Sequence, residues 1–158
     1  MGRVVAISGG DLNSTKPLNL HAIKLSGKTA PNVLFVGTAS GDVDGYITSI
    51  EKEYESLGCP VKSLCLVTKS YKHEDIDNLL SWADIIHVGG GDTISMMRVW
   101  KQHGLDEKLK GIYRNDAAVL TGLSAGAICW FNCGYSDSES CNGCLLYTSD
   151  AADEARSV

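Results

Sequence analysis

The sequence predicts an α/β fold, a three-layer arrangement with a parallel sheet between helices on both faces. Three observations carry that expectation. Short apolar runs recur at residues 3–8, 32–36, 61–67, 84–88 and 117–120, the lengths of strands buried on both sides. Segments with helical spacing of apolar residues lie between most of them. Glycine or small polar residues follow several runs, where strand-to-helix connections turn.

The elements follow in order. Residues 3–8 form a first strand, stopped by Gly9 and Gly10. Residues 12–26 are mixed, and a helix is read only around residues 18–25. Residues 32–36 form a second buried strand after Pro31, and residues 38–45 a small, polar loop at its C-terminal end. Residues 46–57 are helical, with Ile47, Ile50, Tyr54 and Leu57 on one face and Gly58 as the stop. Residues 61–67 make a third strand. Residues 73–83 make a helix with Ile76, Leu79, Leu80 and Ala83 inward. Residues 84–88 are the fourth strand, running into Gly89-Gly90-Gly91. Asp92 or Thr93 caps a helix through His103, with Ile94, Met97, Val99 and Trp100 on its apolar side and Gly104 at its end. Residues 105–113 are a further helix, and residues 117–120 the fifth strand.

The chain has 158 residues, enough for one domain with a core. Its 44% hydrophobic and 21% charged residues are those of an ordinary globular protein. A net charge of -5 does not favour nucleic acid or an anionic membrane as partner. No apolar run reaches membrane-span length, and the first ten residues make a poor signal peptide, so a cytoplasmic location is expected. Cys141 and Cys144 form a C-x-x-C pair, a spacing that zinc sites use. Cys129 and Cys133 are read instead as packed on one face of a helix. No metal or cofactor is expected, nor a disulfide framework.

The chemistry concentrates in Gly122-Leu123-Ser124-Ala125-Gly126. A strand, a serine framed by glycines two residues away on each side, and an apolar helix start have the pattern of a nucleophile elbow. Such a turn is too tight for side chains at the flanking positions. It lifts the serine hydroxyl out of the sheet and aims helix N–H groups at an oxyanion. Taken without that context, the glycines read as close strand–helix packing. Gly89-Gly90-Gly91-Asp92-Thr93 is the second feature. It reads as half of an oxyanion hole, as a phosphate-binding loop like that of nucleotide kinases, or as a plain tight turn. No Walker-type G-K-[ST] is present.

Together, Val88-Gly89-Gly90-Gly91-Asp92-Thr93 and Gly122-Leu123-Ser124-Ala125-Gly126-Ala127 resemble the motifs of the peptidase E family. Ser8-Gly9-Gly10, Gly37-Thr38-Ala39-Ser40, Ile128-Cys129-Trp130-Phe131 and Gly134-Tyr135-Ser136-Asp137-Ser138 also fit. The resemblance covers about residues 3–140. It implies a class I glutamine amidotransferase-like (flavodoxin-like) fold and serine peptidase activity on small peptides. Ser124 would be the nucleophile, with the Gly91 and Ala125 N–H groups forming the oxyanion hole. The family usually carries asparagine where this chain has Asp92. The exchange is expected to be tolerated if the side chain caps a helix, whereas a carboxylate in the hole would oppose the developing charge.

Serine catalysis needs a base, and no histidine follows Ser124. His21, His73 and His103 read as surface residues. His87 alternates onto a sheet face and reads as a packing residue. Residues 145–154 resemble translated adapter sequence, so residues 1–140 are expected to be the N-terminal part of the family domain and residues 141–158 a non-native tail. The fold is then incomplete at its C-terminus, reduced in stability, prone to associate, and weak or inactive as a peptidase. The rival expectations are a nucleotide-binding kinase-like protein and a non-catalytic binding module. Substrate side-chain preference and oligomeric state are not legible.

Overall fold

A computed structural model describes residues 2–135 and 145–147, the segments 133–135 and 145–147 by their backbone alone. Five strands form one parallel sheet: β1 (Arg3–Ile7), β2 (Val33–Val36), β3 (Val61–Leu64), β4 (Ile85–Val88) and β5 (Val119–Leu123). Their order is β1-β5-β4-β2-β3. The helices are α1 (Leu12–Ser26), α2 (Asp44–Ser56), α3 (His73–Trp82), α4 (Thr93–His103), α5 (Leu105–Arg114) and α6 (Ala125–Ile128).

Period-two alternation sorts the strand side chains into two cores. Val5, Ile7, Val33, Phe35, Ile85 and Val119 face α1 and α2. Leu34, Val36, Ile86, Val88 and Leu120 face α3, α4, α5 and α6. Burial on both sides explains why these strands read as continuous apolar runs, and the expected three-layer α/β architecture is the one observed. The free edge at β1 is less well covered: Val4 is half-buried and Ala6 is exposed.

The structure differs from the sequence reading at several points. Helix α1 begins at Leu12, because Asp11 and Ser14 form a reciprocal capping box with bonds of 2.8 and 2.9 Å. Pro17 removes one backbone donor inside this helix without ending it. Strand β3 stops at Leu64 rather than at residue 67. On α4 the buried face carries Met96 and Trp100, while Ile94, Met97 and Val99 are only half-buried.

Asp42 accounts for the early end of β3. Its carboxylate Oδ2 accepts the N–H groups of Val67 at 2.6 Å and Thr68 at 3.1 Å, pulling the chain out of the ladder. Asp42 is buried at φ 57°, a left-handed conformation that Asp and Asn tolerate. Asp42→Asn keeps an acceptor and the conformation, so it should shift the urea midpoint little. Asp42→Ala loses both and should cost about 3 kcal/mol. Equal midpoints for the two variants would refute this role.

After α6 the chain forms a short antiparallel pair, β6 (Cys133–Tyr135) with β7 (Leu145–Tyr147). Helix α6 has only four residues, so Cys133 lies in a strand and not on a helix face shared with Cys129. Cys129 is half-buried; desolvation pushes its thiol pKa up, and the thiol donates to the Gly126 carbonyl at 3.2 Å. The Cys141–Cys144 pair and most of residues 141–158 lie outside the described residues.

Candidate active site

Parallel strands present their C-terminal ends on one side, and the expected site residues gather there. Strand β5 ends at Leu123, and Ser124 turns the chain into α6. Its backbone lies at φ 53° and ψ −112°, a region costing a non-glycine residue of the order of 1–3 kcal/mol. Three bonds hold it there. The Ser124 N–H donates to the Ile7 carbonyl at 2.9 Å, and the Ser124 carbonyl accepts from Ala127 at 2.8 Å and Ile128 at 3.0 Å. The side chain is exposed beyond the sheet.

The flanking glycines allow the approach. A Cβ on Gly122 would meet the Gly126 carbonyl oxygen at 2.2 Å, and one on Gly126 would meet the Val88 carbonyl oxygen at 2.1 Å. Helix α6 therefore lies directly on the ends of β4 and β5. Ala125 opens that helix, and its N–H has no intrahelical acceptor.

Because β4 is the neighbour of β5, its glycine loop arrives beside the serine. A Cβ on Gly90 would lie 3.4 Å from Ser124 Cβ. The Gly90 N–H donates to the Tyr46 hydroxyl at 3.2 Å, and the Asp92 N–H to the Ala39 carbonyl at 2.8 Å. Gly91, between them at φ 143°, has its backbone so close to Ala39 that a Cβ would sit 2.1 Å from the Ala39 oxygen. Its own N–H makes no backbone hydrogen bond among the described residues. Asp92 accepts the Ser95 N–H at 2.6 Å as the cap of α4, so its carboxylate is turned to the helix. With two amides bonded within the protein, the loop is poorly equipped to cradle a phosphate.

No histidine stands at this serine. His87 is paired in register with Thr121, and Ser124 lies three residues beyond, about 10 Å along the strand. Its ring is buried against Phe35 and Tyr54, and Nδ1 lies 3.0 Å from the Tyr54 hydroxyl. His21 and His73 are exposed on α1 and α3, and His103 ends α4. The packing role read for His87 is the one observed.

Burial lowers the His87 pKa to about 4. Above the ordinary value near 6.5 both folded and unfolded states are neutral, and the full stability is present. As pH falls from there to about 4, the unfolded chain takes up a proton that the folded chain refuses. Stability is lost across that window, by about 3 kcal/mol from this residue. In an NMR titration of the folded protein the His87 ring should stay neutral down to about pH 5. Titration near 6.5 would contradict the burial argument.

The fold and these loops define an α/β protein of the class I glutamine amidotransferase-like kind, with a strained serine at the tip of a central strand. Comparison with known proteins narrows the class. The model of peptidase family S51 matches residues 4–143, and the chain belongs to that family. It is 35% identical over 142 residues to the uncharacterized peptidase YgaJ of Bacillus subtilis (strain 168), covering 87% of this chain and 60% of that protein. Among solved structures it is similar to a candidate peptidase E from Listeria monocytogenes EGD-e, with TM-score 0.67 and 26% identity, over 82% of this chain and 61% of that one. A peptidase from an acI-B1 Actinobacterium shares the fold, with TM-score 0.65 and 20% identity, over 86% and 59% of the two chains. The chain thus spans about 60% of the length of these relatives.

Proposed function

We propose that this chain carries the nucleophile half of a serine peptidase acting on small peptides. Ser124 attacks the scissile carbonyl, forming an acyl-enzyme and releasing the amine half, and water then hydrolyses the ester. The N–H groups of Gly91 and Ala125 bind the oxyanion of each tetrahedral intermediate. The observation that carries this reading is the Ser124 backbone, held at φ 53° between two glycine contacts that admit no side chain. The base and its orienting acid belong, in this reading, to the part of the relatives' length that this chain does not span. In this reading residues 1–140 form the family domain's N-terminal part, and a tail foreign to it, within residues 141–158, begins near Cys141 to Cys144. A cytoplasmic location remains part of the proposal. Among the described residues no helix is long and apolar enough to cross a membrane.

The test is labelling by a fluorophosphonate in a protein spanning the family's full length. Ser124 should be the modified residue, and Ser124→Ala should abolish labelling. ATP and NAD should leave the melting temperature unchanged. Labelling elsewhere, or a nucleotide-dependent shift, would refute the reading.

A further inference from the structure

Four successive N–H groups follow the end of β4, and three of them are bonded within the protein. Gly89 donates to the Val36 carbonyl at 3.0 Å, Gly90 to the Tyr46 hydroxyl at 3.2 Å, and Asp92 to the Ala39 carbonyl at 2.8 Å. Gly91 is the exception, with no backbone hydrogen bond from its N–H among the described residues. Two of the three acceptors are backbone carbonyls, and the third is a side chain of α2.

A peptide unit is planar and turns as a whole, and three consecutive glycines set little steric barrier to such a turn. The unit between Gly90 and Gly91 carries the Gly91 N–H on one edge and the Gly90 carbonyl on the other. Turned over, it would present an oxygen where the N–H had been, and an oxygen there repels a developing oxyanion. Bonds on the two neighbouring units oppose that turn. Tyr46 holds the Gly89–Gly90 unit and Ala39 holds the Gly91–Asp92 unit.

The Tyr46 ring is itself fixed. It meets Phe35 of β2 edge-on, with ring centroids 5.4 Å apart and planes at 80°. It also lies against the loop, since a Cβ on Gly89 would be 2.9 Å from its ring carbon Cε1. Removing the hydroxyl alone leaves this packing in place.

We infer that Tyr46 is a positioning residue for the oxyanion hole: by accepting the Gly90 N–H, its hydroxyl keeps the Gly91 N–H available to an oxyanion formed at Ser124. The inference rests on the serine peptidase reading. The loop runs against the serine, a Gly90 Cβ being 3.4 Å from Ser124 Cβ, so a change in its orientation is felt where the chemistry occurs.

Tyr46→Phe in a protein spanning the family's full length tests it. Without the bond the Gly90–Gly91 unit can turn, so kcat should fall by roughly three- to tenfold while KM stays within about twofold. Fluorophosphonate labelling of Ser124 should slow by a similar factor, because that reaction uses the same hole. In the 158-residue chain, the Gly90 amide proton of Tyr46→Phe should move upfield in the NMR spectrum and exchange faster with solvent. Tyr54→Phe is the control on the same helix: it loses a buried hydroxyl bonded to Asn19, so it should lower the melting midpoint and leave kcat unchanged. A parent labelled at Ser124, with Tyr46→Phe labelled just as fast, overturns the inference and leaves the serine reading standing. A parent not labelled at Ser124 refutes that reading, and the inference falls with it. An unmoved Gly90 amide, a loss confined to KM, or an equal loss of kcat in Tyr54→Phe would each overturn the inference as well.

Discussion

Gly126→Ala is expected to lower the thermal unfolding midpoint by roughly 10 °C, a loss of about 3 kcal/mol. The added methyl would lie 2.1 Å from the Val88 oxygen, 2.6 Å from its carbonyl carbon and 2.9 Å from the Gly89 oxygen. All three atoms are backbone at the end of a central strand, so no rotamer change relieves the clash. Helix α6 has to move off the sheet, and the turn at Ser124 moves with it. Gly122→Ala should behave alike, since its Cβ would meet the Gly126 oxygen at 2.2 Å. Gly45→Ala is the control, because a Cβ there has no atom within 4 Å. A Gly126→Ala melt within a degree or two of the parent's would show that the strand and helix are not in close contact.

Substitutions of Ser124 are expected to separate activity from stability. Under the serine peptidase proposal, Ser124→Ala and Ser124→Gly should each remove more than about a thousandfold of peptidase activity in a full-length protein. Their stabilities should differ. The backbone at φ 53° and ψ −112° strains alanine as it strains serine, whereas glycine adopts it freely. Relief of strain is partly offset by the larger entropy of glycine in the unfolded chain. Ser124→Gly should therefore be more stable than Ser124→Ala by about 1 kcal/mol, read from denaturation midpoints. Glycine the less stable of the two would mean that the turn stores no strain. Residual hydrolysis in Ser124→Ala would move the nucleophile elsewhere.

Both substitutions act on positions that stand out in the sequence, because their constraints are local. A glycine two residues either side of a serine, between an apolar run and a helix start, is a backbone requirement written within five positions. The motif also carried the family, since Gly89-Gly90-Gly91 and Gly122 to Gly126 together match peptidase E and the chain belongs to family S51. Asp92 was legible for the same reason: an acidic residue before a helical run caps it within three residues.

The element boundaries that the sequence hid have one distant cause and two local ones. The end of β3 depends on Asp42, whose carboxylate reaches a turn 25 residues away. The start of α1 was masked by Pro17, a residue that ordinarily argues against a helix. The brevity of α6 was hidden because its apolar run continues past the residues that remain helical.

Periodicity and glycine spacing alone determined the three-layer α/β architecture, the two glycine-framed segments and Ser124 as the residue to watch. These follow from the repeat of strand and helix and from the steric size of a Cβ, which neighbours in sequence already express. Only the tertiary structure decided that β4 lies beside β5, which sets Gly90 against Ser124, and that His87 turns to Tyr54, 33 residues away. Strand order and buried polar pairing arise from packing between segments far apart in the chain, and no local pattern encodes which of them will meet.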